Sequence, residues 1–178
     1  NTPPQYVTMN GYVYLAATMG NRVMVIAPGT NRAVFCNLYT INLGPTTTGK
    51  SEALFHLKRY IGAFEAVTAE EIVVGNDATS EGLLKALRNF NNKSAMLITD
   101  EVSRKFRDWQ TSPAKSAARE TELEIYDGHL PRNLRATDGA GQTEKVEVSF
   151  TNYMMGVGDT VASILDRSFL RSGYIPRC

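Results

Sequence analysis

Residues 44–51 read GPTTTGKS: Gly44, Pro45, Thr46, Thr47, Thr48, Gly49, Lys50 and Ser51. Their spacing fits the phosphate-loop pattern G-x-x-x-x-G-K-[ST], and the flanks are those the pattern requires. Residues 37–43 (NLYTINL) predict a buried strand entering the loop, and residues 52–61 predict a helix leaving it, with Leu54, Leu57 and Ile61 on one stripe. Glycines let the backbone curl so that successive N–H groups converge on one phosphate, and the positive end of the helix adds to the attraction. Lys50 can set its ammonium between the outer phosphates, and the Ser51 hydroxyl can hold Mg²⁺. The bland alternative is a strand-to-helix turn that merely contains Gly and Lys; it does not explain why strand, loop and helix agree. ATP with Mg²⁺ is the expected ligand.

Working outward, the 178 residues suit one domain, long enough to bury about 70% of its unfolded surface. Hydrophobic residues at 43% and charged residues at 21% are ordinary for a globular chain. The net charge of +1 gives no global nucleic-acid footprint, so any such contact needs a local patch. Cys36 and Cys178 make no disulfide framework, and nothing in the spacing brings His56 and His129 to them as zinc ligands. Cys36, in a predicted strand, is expected to be a small buried apolar residue. A reducing, cytoplasmic setting follows most simply. No apolar run is long enough to span a bilayer and the start is not signal-like, so no membrane association is expected. With Asn1 first and Cys178 last, the chain reads as a domain cut from something longer.

In order, residues 3–19 carry an apolar pattern more helical than extended, and residues 22–27 (RVMVIA) predict a short strand before the turn residues 28–31. After the loop helix, residues 71–75 predict a strand. Residues 77–80 offer a helix cap, and residues 80–90 a helix with Leu83, Leu84, Leu87 and Phe90 on one face. Residues 95–99 (AMLIT) are an apolar strand closed by Asp100 and Glu101. Residues 133–137 and 144–150 could pair as a hairpin, residues 148–155 form a core strand, and Asp159 could cap a last helix bearing Val161, Ile164, Leu165 and Phe169. Strands alternating with helices imply an α/β layer fold: a mainly parallel sheet flanked by helices, with a small N-terminal helix and strand extension and a β-hairpin insertion. Nucleotide is expected at the carboxyl ends of the strands.

Hydrolysis needs a carboxylate near Mg²⁺ and a group that activates water. Asp100 and Glu101 close a strand about 50 residues after the loop, as strand-helix-strand spacing allows. Asp100 would serve the metal beside Ser51, and Glu101 would act as base; the alternative is an acidic helix start. Asn152 or Thr160, in the turn with Asp159, could sense the γ-phosphate, or could be an edge polar residue or a cap. Arg171 and Arg177 follow the last helix; Arg177 could reach a neighbour's nucleotide in a ring, while Arg171 reads as a solvated surface residue.

Five segments stand in a telling order: NLYTINLGPTTTGKSEAL, NDATSEGLLKAL, AMLITDEVSR, ELEIYDGHLPRN and ILDRSFLRSGYIPR. Together they resemble the ATPase module of phage and prophage primase-helicase proteins, from about residue 22 onward. The loop and acidic pair are general to P-loop ATPases; TSEGLL and SGYIPR are the more family-specific parts. The resemblance implies a RecA-like core, a homo-oligomeric ring, residues 44–51 as nucleotide loop, Asp100 on Mg²⁺, Glu101 as base, and Arg177 as a finger acting in trans. It places the chain in a bacterial host or a phage-infected cell. No primase zinc or polymerase part is present.

A DNA-dependent helicase motor is then the leading expectation. Residues 103–119 carry Arg104, Lys105, Arg107, Lys115 and Arg119 against Asp108 alone, before the acidic run Glu120, Glu122, Glu124 and Asp127. That stretch, with Arg132, Arg135 and Lys145 of the expected hairpin, would track single-stranded DNA toward a ring's centre. The alternative for these charges is a solvated helix face. The rival functions are another phage motor, such as a DNA-packaging ATPase, and a non-motor ATP-gated switch that binds a protein.

Overall fold

The computed structural model describes residues 2–26, 28–29, 33–74, 79–89, 94–128, 147–165 and 167–178. The chain begins with helix α1 (Pro4–Met19) and an antiparallel ribbon of β1 (Met24–Ile26) and β2 (Ala33–Phe35). Strands β3 (Tyr39–Leu43), β4 (Val73–Val74), β5 (Ser94–Thr99) and β6 (Ser149–Gly156) alternate with helices α2 (Lys50–Thr68), α3 (Ser80–Asn89), α4 (Val102–Thr111) and α5 (Pro113–Tyr126). Two short helices follow, α6 (Gly158–Ile164) and α7 (Arg167–Arg171). Among the described residues no helix is long and apolar enough to cross a membrane.

The four strands β3 to β6 form one parallel sheet in the order β3-β6-β5-β4. Every residue of β5 and β6 is buried, the pattern of strands covered on both faces. Side chains alternate across the sheet. Met96, Ile98, Tyr153 and Met155 pack against Ala53, Leu54, Leu57 and Ile61 of α2 and against Val13 and Ala17 of α1. On the opposite face Leu97, Phe150 and Met154 meet α3, α4 and α5 through Leu87, Phe106, Trp109 and Ile125. The fold is therefore α/β, a parallel sheet between two helical layers.

Several elements differ from expectation. The loop helix begins at Lys50 and runs to Thr68, longer than residues 52–61. Within residues 77–80, offered as the cap of α3, Thr79 Oγ1 accepts from the Gly82 N–H at 3.2 Å; Asp77 and Ala78 lie outside the described residues. Residues 158–171 make two helices, because the backbone turns extended at Leu165. Asp159 stands inside the first turn of α6, behind Val157 at the N-cap, where a carboxylate still favours the helix dipole. Cys36 follows β2 and is half-buried rather than a core residue. Most of the expected hairpin, residues 129–146, lies outside the described residues; Ser149 and Phe150 instead open β6 and pair in parallel with β5.

Leu57 has no exposed surface, and its neighbours come from α1, α2 and the sheet. Leu57→Ala is expected to cost about 2–5 kcal/mol, read as a lower urea midpoint with an unchanged denaturant slope.

Candidate active site

Between Leu43 and Lys50 the backbone must leave a strand and start a helix. Gly49 does so at φ 75°, in the left-handed region that glycine enters without a β-carbon penalty. Thr47 also stands there, at φ 69°; for a side chain this costs about 1–2 kcal/mol, and such strain collects at ligand-gripping loops. The Gly44 N–H donates to the Gly156 carbonyl at 3.2 Å, hooking the loop to the tip of β6. The Lys50 ammonium donates to the carbonyls of Gly44 at 2.6 Å and Pro45 at 2.5 Å, so it sits within the curl of its own loop. The first N–H groups of α2 have no partner within the helix and open toward the same space.

Residues 46–52 of the loop and α2 line a cleft of about 390 Å³. Its other wall is Asp100, Glu101, Met155, Gly156 and Val157. The structure thus brings together the loop, Ser51 and both acids. Glu101 is the N-cap of α4: its Oε1 accepts from the Ser103 N–H at 3.3 Å and from the Ser103 hydroxyl. Gly156 permits the close meeting of elements here, since an added β-carbon would lie 2.7 Å from Val102 Cγ1 and 3.2 Å from Val161 Cγ2. Asp100 and Glu101 also border a second cavity of about 220 Å³, whose walls include Thr99, Arg104 and Lys105.

Other expected site residues are placed elsewhere. Asn152 lies mid-strand, paired with Leu97 and Tyr39, and has no exposed surface. Its amide donates to Glu122 Oε2 at 2.7 Å and to the Tyr174 hydroxyl at 2.8 Å. Asn152 does not line the cleft; the residues of the β6 end that do so are Met155, Gly156 and Val157. Thr160 lies in the first turn of α6 beyond them, its carbonyl accepting from the Ser163 hydroxyl at 2.7 Å. The Arg177 guanidinium donates to the Gly173 carbonyl at 2.8 Å, stands 3.6 Å from Asp127 Oδ2 and covers the Tyr126 ring. Asp127 adjoins the start of β6, the edge of the sheet opposite the loop.

The basic segment also changes meaning. Lys105 is a half-buried ion-pair partner, 2.9 Å from Glu122, which is 2% exposed. Expected to face DNA, the Lys105 ammonium is instead directed at that carboxylate. Lys115 bonds Asp108 at 2.5 Å and holds that carboxyl below its usual range, with Arg104 and Arg107 adding to the effect. Arg119 pairs with Glu120 at 2.8 Å. The α4–α5 turn thus brings Lys105 to Glu122 and Asp108 to Lys115. Arg104 and Arg107 remain at the surface. Arg132, Arg135 and Lys145 lie outside the described residues.

Sequence reasoning missed Glu122, the acceptor at the centre of this buried network, and Tyr6 and Asn10 of α1, whose side chains reach the loop and its helix. The one available signal was polar residues four apart within an apolar stripe of α1. Comparison of the chain with protein-family models, curated proteins and solved structures found no match.

Two outcomes follow from the network. Glu122→Gln leaves Lys105 without its counter-charge and is expected to cost about 3 kcal/mol or more, measured by urea unfolding. Burial, helped by the Glu122 charge, pushes the Tyr39 and Tyr174 hydroxyls well above the ordinary tyrosine range. The folded chain then holds these protons more tightly than the unfolded one. Their contribution is complete below the unfolded tyrosine pKa of about 10 and is lost as pH rises beyond it. The urea midpoint should fall as pH passes about 10, and less steeply in Tyr174→Phe.

Proposed function

We propose that the chain is a Mg²⁺-dependent ATPase with a RecA-like P-loop core, and that it works as a DNA translocation or helicase motor of the phage primase-helicase kind. The observation that carries the ATPase reading is the single cleft shared by residues 46–52, Asp100 and Glu101. With β6 inserted between β3 and β5, the loop strand and the acidic strand stand about 10 Å apart. That is room for a hydrated cation and a water between them.

In this reading the N–H groups of the loop and of the start of α2 bind the phosphates, and Lys50 exchanges its loop carbonyls for phosphate oxygens. Ser51 and Asp100 fit Mg²⁺: both offer hard oxygen ligands to the same cleft, and this ion commonly takes only one or two protein ligands alongside phosphates and waters. When bound, Mg²⁺ supplies charge neutralisation at the β- and γ-phosphates. Glu101 orients and deprotonates the attacking water once its carboxylate turns from Ser103 toward the cleft. The DNA path would use Arg104 and Arg107 on α4 with Arg132, Arg135 and Lys145. Arg177, remote from its own loop, would act only on the nucleotide of a neighbouring subunit in a ring.

The test is steady-state ATP turnover with and without single-stranded DNA, beside equilibrium ATP binding. Lys50→Ala should lose ATP binding. Glu101→Gln should keep it and slow turnover by about 10²–10⁴-fold. Single-stranded DNA should stimulate the unaltered chain; hydrolysis indifferent to DNA would remove the motor reading and leave an ATP-gated switch. Turnover by Glu101→Gln at the unaltered rate would remove the base.

A further inference from the structure

We propose that Tyr6, on the N-terminal helix, is a positioning residue for the phosphate loop and the reason that position 44 is glycine. The inference rests on the reading of residues 44–51 as a nucleotide loop. Helix α1 lies on the face of the sheet that carries α2, with Tyr6, Asn10, Val13 and Ala17 on its buried stripe. Asn10 is 6% exposed; its amide donates to the Ala53 carbonyl at 2.7 Å and its carbonyl accepts from the Tyr153 hydroxyl at 2.8 Å. Those two bonds pin α1 to the first turn of α2 and to β6 together. One turn earlier, the Tyr6 hydroxyl donates to the Leu43 carbonyl at 3.4 Å and lies 3.4 Å from Thr48 Oγ1. Thr48 Oγ1 in turn donates to the Pro45 carbonyl at 2.8 Å. One hydroxyl therefore touches the residue that enters the loop and a residue near its end, holding the two limbs at a set separation.

Gly44 sits directly under this hydroxyl. A β-carbon at position 44 would overlap the Tyr6 oxygen and crowd Thr48 Oγ1 at 3.0 Å, while the ring carbon Cζ would stand at an ordinary 3.6 Å. Gly44 is absent from the residues with positive φ among those described, so its backbone does not require glycine. The requirement is one of space, and it is set by a side chain from another helix. An alanine at 44 therefore loses its worst overlap in a chain with phenylalanine at 6, where Thr48 Oγ1 has only to give by a few tenths of an ångström, and clashes in a chain with tyrosine there. A loop whose limbs are held in advance presents its N–H groups to phosphate without first ordering itself, which strengthens binding.

The experiment measures the dissociation constant of a fluorescent ATP analogue with Mg²⁺, together with KM and kcat, for the unaltered chain, Tyr6→Phe, Gly44→Ala, the double variant and Lys50→Ala. Thermal unfolding of each variant checks folding. Tyr6→Phe should weaken binding about five-fold, the loss of one hydrogen bond, and raise KM while leaving kcat nearly unchanged. Gly44→Ala should bind more weakly still. Adding Tyr6→Phe to Gly44→Ala should restore binding rather than reduce it further. Unaltered affinity in Tyr6→Phe, or a double variant weaker than Gly44→Ala, overturns the proposal. Should Gly44→Ala fail to fold, the split between KM and kcat in Tyr6→Phe decides alone. The nucleotide-loop reading fails separately, if the unaltered chain does not bind the analogue or Lys50→Ala binds it equally well.

Discussion

Parallel hydrogen bonding of β6 to β3 on one side and to β5 on the other governs the layout of the molecule. Tyr39 to Leu43 pair with Asn152 to Gly156, and Ser94 to Thr99 pair with Ser149 to Met154. Parallel strands that share a neighbour all end on the same edge of the sheet. That is why a loop at residue 44 and acids at residues 100 and 101 can border one cleft. Gly156 closes β6 at the same edge, where its carbonyl takes the Gly44 N–H. A side chain there would press on Val102, the first residue of the helix that Glu101 caps. The geometry of the cleft is thus a property of strand order and of one missing β-carbon.

Below that edge the layers do different work. The α1–α2 face carries uncharged side chains, mostly apolar, and among its buried polar groups the Asn10 carbonyl accepts from the Tyr153 hydroxyl and Ser94 donates to the Ala17 carbonyl. The other face holds an ionised centre. Glu122 accepts from Lys105 at 2.9 Å, from Asn152 at 2.7 Å and from the Tyr174 hydroxyl at 2.6 Å, and Tyr39 donates to its backbone carbonyl. A buried carboxylate is tolerable only when so fully bonded. The neighbouring rings of Phe106, Trp109, Phe169 and Tyr174 pack tilted, stacked and edge-on against one another, giving the pair an aromatic wall on one side.

The parts legible in the sequence were those fixed by local chemistry. The spacing of Gly44, Gly49, Lys50 and Ser51 announces a strand-to-helix turn, and the apolar runs at 37–43, 95–99 and 148–155 correspond to β3, β5 and β6. Parallel pairing was inferable from alternation. What stayed hidden depends on contacts distant in sequence. Asn152 read as a polar strand tip because its partners Glu122 and Tyr174 lie 30 and 22 residues away. Lys105 read as part of a cationic tract because its counter-charge comes from the next helix. Helix α1 read as an appendage, since no local pattern reveals that its residue 6 reaches residues 43 and 48.

The position of Tyr174 has a bearing on how the domain comes apart. Its ring is fully enclosed and its hydroxyl donates to Glu122 at 2.6 Å, although it belongs to the short coil after α7. Helix α4 begins at the cleft and carries Lys105 to the same carboxylate. The tail is therefore a rivet through the layer that supports Glu101. Proteolytic trimming of residues 172–178 would strip it out, and the loosening would surface at the opposite end of the sheet as faster amide exchange along α4.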